Sequence, residues 1–151
     1  MTARQSILAI LAAARDDIRN QMQARGVNAS GRTSASIEVV EDAAGIALVG
    51  GGKGAAPIPT LEIGRPGGRV PKGFYYIIKQ WTRDKGLQFG KESERQTFSY
   101  FLAKRIAAQG TLRHKHHEDI YSTVAAKAAD EIEQAIKDSV YTSVQTIKLN
   151  V

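Results

Sequence analysis

The stretch LEIGRPGGRVPKGFYYIIKQWTRDKGL, residues 61–87, divides into two halves of different character. The first half holds both prolines and four of the five glycines, which argues against regular structure. The second half carries four large apolar residues at helical spacing and stops at Gly86. The four apolar residues are Phe74, Ile77, Ile78 and Trp81. The stretch predicts a loop, rich in basic residues, in front of a short helix over residues 74–85.

The loop extends towards the N-terminus. Residues 50–73 contain eight glycines and all four prolines of the protein. In a compact domain, a loop of more than about 15 residues is usually functional or disordered. The composition therefore predicts one long loop over residues 50–73 that is mobile in the isolated chain.

An amphipathic helix and a β-hairpin are predicted before the loop. The helix covers residues 4–24, with a stripe formed by Ile7, Leu8, Leu11, Ala14, Ile18 and Met22. Thr2 or Ser6 can cap its start, and Gly26 can end it. The β-branched segments SIEVVED and IALVG are joined through a short turn, which is typical of a hairpin. Across it, Ile37 and Val39 are expected to oppose Ile46 and Leu48.

Two further helices are predicted after the loop. Residues 92–109 form the first, with Gly110 as its cap and Phe98, Phe101, Leu102 and Ile106 as its apolar stripe. The second covers residues 118–140, with Ile120, Val124, Ala128, Ile132 and Ile136 at steps of four. Apolar residues alternate over the last seven positions, which favours a terminal strand.

Composition limits the classes of function. The chain has 151 residues, enough for one domain with a real core, and no apolar run long enough to span a membrane. The apolar segment at residues 7–14 leads directly into charged residues, so an amphipathic helix explains it better than a signal peptide. There is no cysteine, which removes disulfides, thiol nucleophiles and cysteine zinc sites. A net charge of +6 permits contact with nucleic acid or an acidic protein surface.

Three catalytic or ligand-binding motifs are weak. GGGKGAA at residues 50–56 lacks the spacing and the Ser or Thr of a phosphate-binding loop. The three histidines lie together in HKHH at residues 114–117, whereas a zinc site usually draws ligands from two elements. No Gly-x-Ser-x-Gly elbow occurs, and no histidine lies elsewhere to serve as a base. We therefore expect no enzyme activity, no metal and no cofactor.

Nucleic-acid binding is the main alternative. Six basic residues cluster around Tyr75, Tyr76 and Trp81 in the sequence: Arg65, Arg69, Lys72, Lys79, Arg83 and Lys85. Arginine suits phosphate, and tyrosine can stack on bases. However, Trp81 shares a helical face with Phe74, which favours a core role, and no helix-turn-helix connector joins the middle helices. A small basic nucleic-acid-binding protein stays an alternative.

Three motif-bearing segments, preceded by the amphipathic N-terminal helix and followed by a long terminal helix, together resemble a known family, the tail-completion or neck proteins of tailed bacteriophages, also described as minor tail or morphogenesis proteins. The first is GVNASGRTSASIEV, through Ala29, Ser30, Gly31, Ser36 and Ile37. The second is residues 61–87, through Glu62, Gly64, Arg65, Pro66, Gly67, Pro71, Ile77, Trp81, Lys85 and Gly86. The third is FLAKRIAAQGT, through Ala103, Ile106, Ala107, Gly110 and Thr111. Before residue 61, GGGKGAAPIPT departs from the family pattern, and Lys72 stands where a second proline is usual.

The resemblance implies one α+β domain over residues 1–151, with helices and a long C-terminal helix packed on a small antiparallel sheet. It also implies a structural virion protein without catalysis, which assembles in the host cytoplasm as a ring between head connector and tail tube. Implied partners are copies of the chain, connector and tail-tube or tail-terminator proteins, and DNA in the channel, but no membrane. In this hypothesis residues 50–73 are an assembly arm that contacts partners through Glu62, Arg65, Pro66, Arg69, Pro71 and Lys72. A toxin or regulator from the same mobile element is a third hypothesis.

Overall fold

A computed structural model describes residues 2–27, 29–52, 58–111 and 119–149, which form six helices and one two-stranded antiparallel sheet. The helices are α1 (Ala3–Ala24), α2 (Arg32–Ala35), α3 (Ile58–Ile63), α4 (Phe74–Asp84), α5 (Glu92–Gln109) and α6 (Ser122–Leu149). The strands are β1 (Ile37–Asp42) and β2 (Gly45–Gly50). The predicted α+β fold, with a small antiparallel sheet and a long C-terminal helix, is confirmed.

The main core lies between α1, α6 and the hairpin. The predicted stripe of α1 faces inwards, with Leu11, Ala14, Ile18 and Met22 all buried. Opposite it, α6 and the residues just before it contribute Ile120, Val124 and Ala128, and β1 contributes Ile37. Thr2 caps α1 by a capping box with Gln5. The core thus follows the periodicity of the two long helices.

The hairpin has the predicted pairing in part. Val39 lies opposite Leu48, as expected, whereas Ile46 lies opposite Glu41 and Ile37 opposite Gly50. The side chain of Asp42 closes the turn, because its Oδ1 accepts hydrogen bonds from the backbone N–H groups of residues 44 and 45. The guanidinium of Arg19 on α1 donates to the carbonyl of Ile37 at 2.8 Å, which fixes the hairpin to the helix.

α4 and α5 pack against each other as a second cluster. Both helices have the predicted bounds within one residue, and Gly110 follows α5 as predicted. The predicted apolar face of α5 is wrong in part: Leu102 and Ile106 are half-buried, but Phe98 and Phe101 are exposed. The fully buried residues are Ser99, Ala103 and Ala107. On α4, Ile78 is buried but Ile77 is 63% exposed. The fully buried residues of α5 are therefore small ones.

Two other predictions are corrected. Residues 50–73 are not one continuous loop, because α3 lies within them. Pro59 lies in the first turn of α3. A backbone N–H at this position would have no acceptor within the helix, so proline, which lacks the N–H, is tolerated there. The expected terminal strand is absent over residues 145–149, because α6 continues to Leu149. There the hydroxyls of Thr142, Ser143 and Thr146 donate to carbonyls one turn earlier, within the helix.

Candidate assembly surface

Main-chain hydrogen bonds hold residues 64–68 against residues 107–111, a contact that we call the clasp. The N–H of Arg65 donates to Oγ1 of Thr111 at 2.9 Å, and the N–H of Thr111 donates to the carbonyl of Arg65 at 2.7 Å. The N–H of Gly68 donates to the carbonyl of Ala107 at 2.6 Å. The clasp therefore joins two of the three segments that carry the resemblance.

Two glycines make this close approach possible. A Cβ at Gly67 would lie 2.3 Å from the carbonyl oxygen of Ala108. A Cβ at Gly110 would lie 2.3 Å from the carbonyl oxygen of Arg65, and Gly110 also has a positive φ of 70°. Side chains at either position would force the two segments apart.

Glu62 connects α3 to the start of α6. Its Oε1 accepts a hydrogen bond from the backbone N–H of Ser122 at 3.1 Å and a second from the hydroxyl of Ser122. The first N–H groups of a helix have no intrahelical acceptor, so a carboxylate there acts as a cap. The expected partner contact Glu62 thus has an intramolecular role in the isolated chain.

Residues 69–73 follow the clasp and are all exposed, and we call them the tip loop. Arg65 supports its base: the guanidinium lies 5.5 Å from the centre of the Phe74 ring and donates to the carbonyl of Arg69 at 3.4 Å. Arg69, Pro71 and Lys72 are exposed. Within the described part of the chain, neither Arg69 nor Lys72 has a side-chain hydrogen bond or an ion pair. Pro66, on the clasp, is also exposed.

The basic cluster of the nucleic-acid hypothesis is largely paired within the protein. Lys79 and Arg83 each lie 2.9 Å from Oε1 of Glu92, and Arg95 lies 3.4 Å from its Oε2. The hydrogen bond from Lys79 is the main reason that the pKa of Glu92 lies below its usual value. The ammonium of Lys85 donates to the carbonyl of Gly26. Of the six basic residues, Arg69 and Lys72 are left for an external partner.

The other motifs add no further site. No group of three or more potential metal ligands lies together among the described residues, and HKHH lies outside them. Residues 53–56 of GGGKGAA also lie outside. α3 is too short a helix to supply an anion site. No helix in the described ranges is long and apolar enough to cross a membrane.

The predicted apolar stripe of the last helix is confirmed for Ile120, Val124 and Ala128 but is wrong for Ile136, which is 44% exposed. Ile136 belongs to a second apolar stripe on α6 that sequence reasoning did not recognise as separate. It includes Ile136, Val140, Val144 and Ile147, which are 44–66% exposed. Its signal in the sequence is an uncharged run over residues 139–147, SVYTSVQTI. Comparison with known proteins gives no identification: no family profile, curated protein or solved structure matches the chain.

Proposed function

We propose that the chain is a structural subunit of a tailed bacteriophage virion, forming a ring in the neck between the head connector and the tail tube. Its partners are copies of itself, the connector and the tail-tube or tail-terminator protein, with DNA in the channel as a further candidate. It assembles in the host cytoplasm and stays in the particle. The role is mechanical, and it needs no cofactor.

The clasp carries this proposal. Two separate segments that resemble the neck family come together there, forty-odd positions apart in the chain, as one hydrogen-bonded unit. The clasp supports the exposed tip loop. In this loop Arg69 and Lys72 carry positive charges that are unpaired among the described residues, so the loop is suited to docking on an acidic protein surface. Because the base of the loop is already fixed, docking has less conformational entropy to lose.

In this account the tip loop, rather than all of residues 50–73, is the docking element. Arg65 acts indirectly, by supporting the loop through Phe74 and the carbonyl of Arg69. Glu62 acts indirectly as well, because its carboxylate is engaged with Ser122. Arg69, Pro71 and Lys72 are the residues that contact a partner.

Charge reversal tests the proposal. The double variant Arg69→Glu and Lys72→Glu should fold normally but fail to join heads to tails, so that the host accumulates free heads and free tails. A matched control is Lys104→Glu with Arg105→Glu, two adjacent exposed residues on α5 with the same change in charge. Normal infectious particles from the tip-loop variant would contradict the proposal. An equal defect in the control would show that the loss of head–tail joining comes from the change in net charge and not from the tip loop.

A nucleic-acid binder would behave differently. Its affinity should fall by about one logarithmic unit for each phosphate contact per tenfold rise in salt. Tight, salt-sensitive DNA binding by the purified chain, together with its absence from particles, would favour that alternative.

A further inference from the structure

α6 has two apolar faces, but α1 covers only one. Val124 and Ala128 are buried in the core, towards α1. A second stripe lies about 100° further round the helix, beginning one residue later at Ala125. Its members, at steps of three and four, are Ala125, Ala129, Ile132, Ile136, Val140, Val144 and Ile147. A surface helix of a globular protein normally has one such stripe, so a second indicates a second packing partner.

The second stripe changes in size along the helix. In the first half it is formed by alanines, which form part of the lining of an apolar groove of about 360 Å³. Leu11 from α1, Leu48 from β2 and Ile58 from α3 form other walls of this groove. For scale, a cavity of about 150 Å³ can hold benzene, so the groove has room for more than one branched side chain.

In the second half the stripe consists of large residues that project from the surface. Ile136, Val140, Val144 and Ile147 are 44%, 58%, 45% and 66% exposed. No charged residue interrupts residues 139–147, although 24% of the chain is charged. A contiguous exposed apolar patch often marks an interaction site. This half of α6 therefore has the character of an interface.

We infer that the second half of α6 from another copy of this chain occupies the groove. The two surfaces match in chemistry and shape: one is an apolar ridge of branched side chains, and the other an apolar groove lined by alanines. An antiparallel pairing of two α6 helices centred on Ile136 places Val140 opposite Ile132. It also places Val144 beside Ala129, and Ile147 beside Ala125, so that large residues meet small ones along the contact.

The contact does not depend on a role in a virion. If two copies each insert the ridge of α6 into the groove of the other, the assembly closes at two copies. The pairing centred on Ile136 is two-fold, so a ring of the kind in the proposed function would consist of such pairs joined by further contacts. Both assemblies bring residue 144 of one copy next to residue 129 of another.

Cross-linking tests the contact directly, because the chain contains no cysteine of its own. Ala129→Cys and Val144→Cys are made as separate variants, mixed and oxidised; a disulfide-linked pair of the two is expected. Lys127→Cys, exposed on the opposite side of α6, serves as the control and should not cross-link to Val144→Cys. If both mixtures react equally, or neither reacts, the inference is overturned.

Charge variants give a second test. By light scattering, the wild type should have a mass above that of one chain, 16.4 kDa, and Val140→Asp with Val144→Asp should reduce it to one chain. Lys127→Asp is the control, since Lys127 is exposed on the opposite side of α6. Unchanged helical circular dichroism would show that the variants are folded. The freed groove should then bind more of an apolar dye.

A wild-type chain that is monomeric at all concentrations and binds the dye as strongly as the double variant would overturn the inference. That result would mean that the groove is open in the wild type and that no second copy occupies it. A wild-type protein that forms dimers but no larger assembly would support the α6 contact and would count against the proposed ring.

Discussion

The carboxylate of Glu62 caps α6 through Ser122, a residue sixty positions further along the chain. The contact ties the middle of the glycine- and proline-rich region to the longest helix of the protein. With the clasp, it fixes both ends of residues 62–68. The tip loop is consequently presented from a rigid base.

Replacing Glu62 by Ala should lower the free energy of unfolding by about 1 kcal/mol, the usual cost of losing a helix cap. Glu62→Gln should cost less, because the amide oxygen can still accept the hydrogen bonds. Urea unfolding of the two variants and the wild type measures the difference. Equal stability of Glu62→Ala and wild type would show that the cap does not form in solution.

Gly67→Ala should open the clasp, whereas Gly68→Ala should not. The new Cβ at residue 67 would clash with the carbonyl of Ala108, but at residue 68 it would meet nothing within 4 Å. We expect a loss of about 1–3 kcal/mol for Gly67→Ala and a change within about 0.5 kcal/mol for Gly68→Ala. Thermal unfolding checks both. Similar melting temperatures for the two variants would contradict the described geometry.

Glu92 should make the α4–α5 contact sensitive to acid. Its pKa is lowered from the usual 4.5 by the hydrogen bond from Lys79 and by the nearby positive charges. A lowered pKa in the folded protein means that the stabilisation is complete above 4.5 and is lost as the pH falls through the lowered value. Glu92→Gln should therefore be less stable than wild type near neutral pH, with the gap closing in acid.

Urea midpoints of both proteins near pH 7 and near pH 3 provide the measurement. Glu133→Gln is a control: Glu133 is an exposed glutamate paired with Lys137 within one helix, so its effect should be small. A gap between wild type and Glu92→Gln that is the same at both pH values would rule out the ionic explanation.

Tyr121 should ionise late in alkaline titration. Burial, and then the charge of Glu62, raise its pKa to about 12. Because the raised pKa favours the neutral phenol in the folded state, this stabilisation is complete below pH 10 and is lost as the pH rises through about 12. The absorbance titration of phenolate in wild type should show a late step that Tyr121→Phe lacks. Identical curves, after scaling for the number of tyrosines, would contradict this environment.

Strong periodicity made much of the fold predictable. The buried stripe of α1, the bounds of α4 and α5, and the Val39–Leu48 pair all follow from spacing and turn residues. The end of α6 did not follow, because the last apolar residues alternate as in a strand. This alternation does not show that the backbone groups of these residues form hydrogen bonds with residues one turn away in the same helix.

The site was harder to predict than the fold. The glycines and prolines correctly indicated an irregular segment, but its attachment depends on Thr111 and Ala107, which are distant in sequence. The buried face of α5 consists of Ser99 and two alanines, and hydropathy gives such small residues little weight against Phe98 and Phe101. Where main chains lie close together, a side chain must be small to fit, whether it is polar or apolar.

The most direct test of the proposed function is cryo-electron microscopy of tailed particles produced from a genome that contains the gene for this chain. The account predicts a symmetric ring of this chain between the head connector and the tail tube, with the tip loop of each copy against a neighbouring protein. Complete tailed particles whose necks contain no density for the chain would contradict it.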